Sequence, residues 1–139
     1  IGKGGTDITR DNALDHVLGY TIGIDMTLRG KESQSSRKSI DSYALIGPCV
    51  ATIDDISDPD SLGFSLSING AEIQRSNTSE LAFDIRSLIA HASTFYTLHP
   101  GDIIMTGTPV GFEPVHVGDT MDVDFESIGS MRIAITAHR

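Results

Sequence analysis

Phe64-Ser65-Leu66-Ser67-Ile68-Asn69-Gly70-Ala71-Glu72-Ile73-Gln74 is the stretch whose reading decides the fold. Asn69-Gly70 accepts positive φ at both central positions of a two-residue turn, so Phe64 to Ile68 and Ala71 to Gln74 are expected to pair as a β-hairpin. Upstream, Asp58-Pro59-Asp60 marks a turn, and Leu45 to Ile53 has strand-like apolar content around Gly47-Pro48. Gly30 to Asp41 is polar and Ser-rich and is expected to form a mobile loop. Tyr20 to Thr27 alternates, with Tyr20, Ile22, Ile24 and Met26 on one face and Thr21, Gly23, Asp25 and Thr27 on the other, which predicts a half-buried strand. Thr9 or Asp11 can cap a short helix over Asn12 to Leu18, where Ala13, Leu14 and Val17 give an apolar stripe.

Downstream of the hairpin, Leu81, Ile85, Leu88, Ile89 and Ala92 recur at helical spacing, and Asn77 with Glu80 resembles a capping box. One long helix over Ser79 to Tyr96 is therefore expected, stopped by His99-Pro100-Gly101-Asp102. Ile103 to Thr106 reads as a short strand and Gly107 to Gly118 as a Gly- and Pro-rich loop. Thr120 to Phe125 and Met131 to Ala137 alternate around Ile128-Gly129-Ser130 as a final hairpin. The chain is strand-rich with few helices, no repeat and no βαβ rhythm, which favours a mixed or antiparallel β-fold over a doubly wound one.

With 139 residues, 39% of them hydrophobic, one domain is the default. Nineteen acidic against ten basic side chains leave a net charge of −9. That argues against nucleic acid as a partner, because phosphate binding rests on clustered Lys and Arg. An acidic surface also repels anionic substrates, so an acidic substrate needs a local cation or a metal. No apolar run reaches membrane-spanning length, and there is no positively charged leader, so a cytoplasmic protein is expected. The single Cys49 lies in an apolar run and reads as a buried structural thiol in a reducing compartment. The first residue is Ile1 rather than methionine, and Ile1 to Gly5 reads as a strand ending in a turn whose preceding residues lie outside the chain.

Among residues able to carry chemistry, Asp25 stands in an otherwise uncharged strand, where an ionised carboxylate, if buried, calls for a cation or a metal. Arg29 and Lys38 are the cations within reach, and either can equally hold a substrate carboxylate. A solvated strand face explains Asp25 about as well. Met105 to Gly111 puts two hydroxyls and flexible backbone after a strand, where amides can cradle an oxyanion, or where the chain simply turns. His16, His91, His99, His116 and His138 show no ligand spacing, and none is assigned to metal. His16 and His91 read as packing or surface residues, and His99 at most lines a site.

Gly19-Tyr20-Thr21 through Asp25-Met26-Thr27-Leu28-Arg29, then Lys38-Ser39-Ile40-Asp41, Gly47-Pro48, Ile68-Asn69-Gly70, Leu98 to Asp102, Thr106 to Pro109 and Gly118-Asp119 follow one another in an order that resembles the fumarylacetoacetate hydrolase family. Each motif is weak alone; the series covers nearly the whole chain. The resemblance implies an α+β, β-rich fold, a mixed-sheet β-roll of that family's C-terminal domain type. It also implies a Mg²⁺ or Mn²⁺ held by one aspartate and a Glu-x-Glu pair. Asp25 matches that aspartate, Lys38 matches a catalytic lysine that contacts and polarises substrate, and Arg29 and Thr108 match substrate-binding residues of the same pocket. All-oxygen sites of this kind suit hard divalent ions.

The Glu-x-Glu pair lies upstream of the Ile-Gly-Lys strand in relatives, so residues 1–139 are expected to be an N-terminally incomplete catalytic domain that binds metal poorly alone. Glu32 stands where relatives often carry Gln, and Cys49 where they frequently carry Trp. The implied activity is metal-dependent isomerisation or C–C hydrolysis of 2-oxo or 2-hydroxy-dienoic acids in aromatic catabolism, in a homodimer. Phe112 to Asp119 looks closest to bacterial 2-hydroxyhepta-2,4-diene-1,7-dioate isomerase-like members. Acylpyruvate or fumarylpyruvate hydrolysis and oxaloacetate decarboxylation use the same platform. From another class, the chain reads as a non-catalytic fragment or an interaction subunit with an exposed strand edge.

Overall fold

A computed structural model describes residues 1–137 of the chain. His138 therefore lies outside the described residues. The Asn-Gly hairpin forms as expected: β3 (Gly63–Ile68) pairs antiparallel with β4 (Ala71–Asn77), after β1 (Gly19–Asp25) and β2 (Ala44–Thr52). Asn69 and Gly70 adopt φ of 51° and 83°, the left-handed pair such a turn requires. Asn69 also accepts a hydrogen bond from the Thr120 amide and donates to Asp119, fastening the turn to the start of β5 (Thr120–Phe125). With β6 (Gly129–Ala134) the sheet runs β4-β3-β5-β6, and Phe64 stacks on its register partner Phe125 with centroids 4.6 Å apart.

β1 and β2 form a separate two-stranded ribbon. Its Tyr20, Ile22 and Ile24 face inward, as the alternation predicts, and pack with Ile56, Leu62, Val123 and Ile128 into one core. Ile22 is 1% exposed. A second core joins α2 (Ile85–Phe95) to the 3₁₀ turn Arg10–His16 through Ile8, Ala13, Ile85, Ile89 and Leu98, and Tyr20 touches both cores. Burial, with Asp60 nearby and Arg86 partly opposing, pushes the Tyr20 phenol up to about 12. His16 is buried here with Nδ1 against the Lys3 carbonyl, and His91 lies edge-on to Phe95; both are packing residues.

The α+β, sheet-rich class is as expected, although every named strand pair is antiparallel where the resemblance implied a mixed sheet. The long helix is replaced by α2, eleven residues, preceded by a 3₁₀ turn over Thr78–Glu80. Asn77 caps only that turn, and Glu80 accepts from the Ser76 hydroxyl instead of closing a box on Asn77. Asp84 then caps Ser87 and pairs with Arg10, so the helix starts there. Ile103 to Thr106 is not a strand: Ile104 packs into the second core, while Ile103 and Met105 stay exposed without a ladder. Gly30 to Asp41 is not simply a loop, because α1 (Gln34–Lys38) forms within it, its Ser33 cap accepting from Ser36. Cys49 is exposed rather than buried, its thiol reaching only the Ile128 carbonyl at 3.4 Å. Among the described residues no helix is long and apolar enough to cross a membrane.

Candidate functional site

β1 delivers Asp25 as its last residue, on the exposed face opposite Ile22 and Ile24. The chain beyond it stays extended because the Met26 amide donates to Tyr43 and the Leu28 amide to Arg37. These bonds hold α1 alongside residues 26–28. Lys38, the last residue of α1, therefore folds back so that its Nζ pairs with Asp25 Oδ2 and donates to Thr27 Oγ1 at 3.3 Å. The two ion-paired side chains are 38% and 35% exposed, so the pair is half in water. Of the two cations open to Asp25 in the sequence, the structure selects Lys38.

Arg29 turns elsewhere. Its guanidinium lies over the Phe112 ring, 4.8 Å from the centroid, in cation–π geometry. Phe112 belongs to the Gly107–Gly118 loop, which also carries Thr108. That loop is fastened to the edge strand β4 by Gln74, whose Nε2 donates to the Gly111 carbonyl at 2.5 Å and to Thr108 Oγ1 at 3.4 Å. Gly111 has φ of 95°, and a β-carbon there would overlap the Ile73 carbonyl oxygen, so glycine is what lets the loop approach the strand. Asp25 and Lys38 are thus in direct contact, and Arg29 joins the loop of Thr108 through Phe112. Among the described residues no hydrogen bond links Thr108 to Asp25, Arg29 or Lys38.

Thr27, Gln74 and Phe112 are legible in the sequence only as parts of longer segments, not as site residues. Gln74 is an ordinary polar strand residue until the loop is seen against it, and Phe112 carries a signal only as the aromatic of a Gly- and Pro-rich loop. His99 stands in its turn, its amide donating to Asp102, and His116 is exposed, its amide donating to Asp119. The side chain of Asn69 and the His116 amide hold the Asp119 carboxyl below the usual range, a turn-stabilising role away from the Asp25 group.

Among the described residues no three His, Cys, Asp or Glu side chains come together to hold a metal ion. Asp25 offers one hard oxygen donor, which fits one position of an all-oxygen site but is not a whole site. Two open concavities among the described residues lie on the four-stranded sheet, around Ser65, Asp122, Asp124 and Arg132, and neither includes Asp25, Arg29, Lys38 or Thr108. The candidate site is an open rim where the ribbon, α1 and the 107–118 loop meet.

The family model described as fumarylacetoacetate (FAA) hydrolase C-terminal matches residues 1–136. The chain is 50% identical to maleylpyruvate hydrolase of Aquipseudomonas alcaligenes over 97% of its own length and 47% of that protein. It superposes with a TM-score of 0.95 on maleylpyruvate hydrolase from Sphingobium sp. SYK-6 in complex with manganese(II) ion and pyruvate, at 37% identity, over 100% of this chain and 52% of that one. The TM-score with 2-hydroxyhepta-2,4-diene-1,7-dioate isomerase from Mycobacterium marinum is 0.92, at 34% identity, over 98% of this chain and 54% of that one. The chain spans about half the length of the curated relatives it matches. From its first residue to 136, the chain belongs to the fumarylacetoacetate hydrolase family, in the C-terminal domain of that family.

Proposed function

We propose that the whole protein is a divalent-metal-dependent hydrolase of acylpyruvates, with maleylpyruvate first among its candidate substrates. The observation that carries this reading is the Asp25–Lys38 pair at the end of β1, on a chain half identical to a maleylpyruvate hydrolase. Asp25 is the one carboxylate in this chain assigned to the metal, with the remaining ligands coming from residues outside these 139. A Mg²⁺ or Mn²⁺ bound there supplies Lewis-acid polarisation of a 2-oxo acid. Support for that ion comes from the manganese and pyruvate held by the Sphingobium enzyme.

Hydrolysis of an acylpyruvate breaks the bond between the acyl carbonyl carbon and the methylene of the pyruvyl unit. The hydroxyl of water goes to the acyl carbon, and the bonding pair stays on the pyruvyl unit as an enolate that takes up a proton. Lys38 Nζ, within reach of both Asp25 and Thr27, holds a donor where that oxyanion develops and is the group that handles the proton. Arg29 offers a planar fork suited to a substrate carboxylate, which an acidic protein would otherwise repel. The Thr108 hydroxyl, oriented by Gln74, completes substrate placement. Isomerisation of a 2-hydroxy-dienedioate also develops charge on the 2-oxygen, as a dienolate, and is the second activity to assay, in view of the Mycobacterium marinum isomerase.

The proposal extends to a cytoplasmic homodimer, on the family resemblance. The test is turnover by the whole protein of maleylpyruvate, fumarylpyruvate and a 2-hydroxy-dienedioate, followed by release of pyruvate or loss of the dienol absorbance. Chelator should abolish turnover and Mn²⁺ restore it. Indifference to all three acids, with or without Mn²⁺, would leave an interaction subunit as the better reading.

A further inference from the structure

We infer that Phe112 is a positioning residue for Arg29, setting the guanidinium that receives the substrate's carboxylate; the inference rests on the substrate-binding role proposed for Arg29. Four observations converge on it. The guanidinium carbon lies 4.8 Å from the Phe112 centroid, inside cation–π range. Phe112 is 74% exposed, so its ring is not a core residue, and Arg29 is the aromatic-face partner the structure gives it. The backbone immediately before Phe112 is anchored, because Gln74 binds the Gly111 carbonyl and Gly111 sits against Ile73 where no side chain fits. Finally, Arg29 follows Leu28, whose amide is held by Arg37, and among the described residues no hydrogen bond or ion pair fixes its own long side chain.

An unrestrained arginine loses rotamer freedom when it binds a carboxylate, and a ring that already lies against the guanidinium removes part of that loss. A guanidinium held over an aromatic face through cation–π attraction spends none of its N–H donors on that contact and keeps them for a carboxylate. Phe112 thus serves the reaction without touching the reacting atoms. Because binding of a remote carboxylate acts on ground and transition states alike, its effect belongs in KM.

The experiment is a double-mutant cycle on the whole protein with Mn²⁺ and maleylpyruvate, comparing wild type, Phe112→Leu, Arg29→Gln and the pair. Phe112→Leu should raise KM about two- to fivefold with kcat unchanged, and Phe112→Tyr should restore it. In the Arg29→Gln background, already raised in KM, the further change Phe112→Leu should have no effect. Additive effects of the two substitutions, or no effect of Phe112→Leu in a protein where Arg29→Gln is deleterious, would overturn the inference and leave the functional reading intact. A KM unmoved by Arg29→Gln would instead overturn the role of Arg29, and with it this one.

Discussion

Replacing Lys38 by methionine separates its chemical role from its structural one. The side chain makes an ion pair with Asp25 and a hydrogen bond to Thr27, and neither partner is sequestered: Asp25 is 38% exposed and Lys38 35%. Ion pairs this wet contribute less than about 1 kcal/mol, and methionine keeps most of the aliphatic stem. The melting temperature of Lys38→Met should therefore fall by no more than a few degrees. A group that handles a proton or donates to a developing oxyanion contributes about 10²- to 10⁴-fold, so kcat should fall within that range. Lys38→Arg should restore the melting temperature but not kcat, since a planar fork cannot put one donor nitrogen on both Asp25 and Thr27 in the same way. The assay is kcat and KM on maleylpyruvate with Mn²⁺, beside thermal melting of the same preparations. A kcat retained within about threefold, or recovered fully by arginine, would refute the reasoning by reducing Lys38 to a surface cation.

Ile22→Ala opens a cavity among Ile56, Leu62, Val123 and Ile128, and should cost about 2–5 kcal/mol by urea unfolding, against about 0.5–1.5 for Ile22→Val. Gly111→Ala meets both the Ile73 carbonyl and a φ of 95°; the loop should shift off β4 and kcat/KM should fall about tenfold, checked by steady-state kinetics. Hydrogen bonds from Ser87 and Arg10 lower Asp84 from 3.8 to about 2. A carboxyl whose folded pKa is depressed contributes fully above the unfolded value and loses that contribution as pH falls toward the folded one. Melting temperature should accordingly decline between about pH 4 and pH 2, and Asp84→Asn should flatten that decline.

What the sequence made legible was local. The Asn69-Gly70 turn needs two left-handed residues and has them, and the inward face of Tyr20, Ile22 and Ile24 needs only alternation. The helix start failed because two caps compete seven residues apart: Asn77 satisfies a 3₁₀ turn, whereas Asp84 gains an amide and Arg10 together. Cys49 and Ile103 to Thr106 failed because apolar content says nothing of which faces find a neighbour; the ribbon packs on the four-stranded sheet through Ile22 and Val123 yet leaves Cys49 exposed, and residues 103–106 have no ladder. At the site, Asp25 and Lys38 could be singled out in sequence, but their pairing is set by amide bonds to Tyr43 and Arg37 that fold α1 back. Gln74 and Phe112 act across 34 or more residues of chain and leave no mark of spacing.

The central claim is that Asp25 is a metal ligand of an acylpyruvate-processing enzyme, and thermal melting of the whole protein against Mn²⁺ concentration tests it most directly, with Asp25→Asn run alongside. At a hundredfold excess over Kd, a bound ion adds about 2.7 kcal/mol to folded-state stability. The account predicts a saturable rise in melting temperature for the wild type and little or none for Asp25→Asn, whose own melting temperature without metal stays near that of the wild type. An equal rise in both proteins, or none in either, would contradict it.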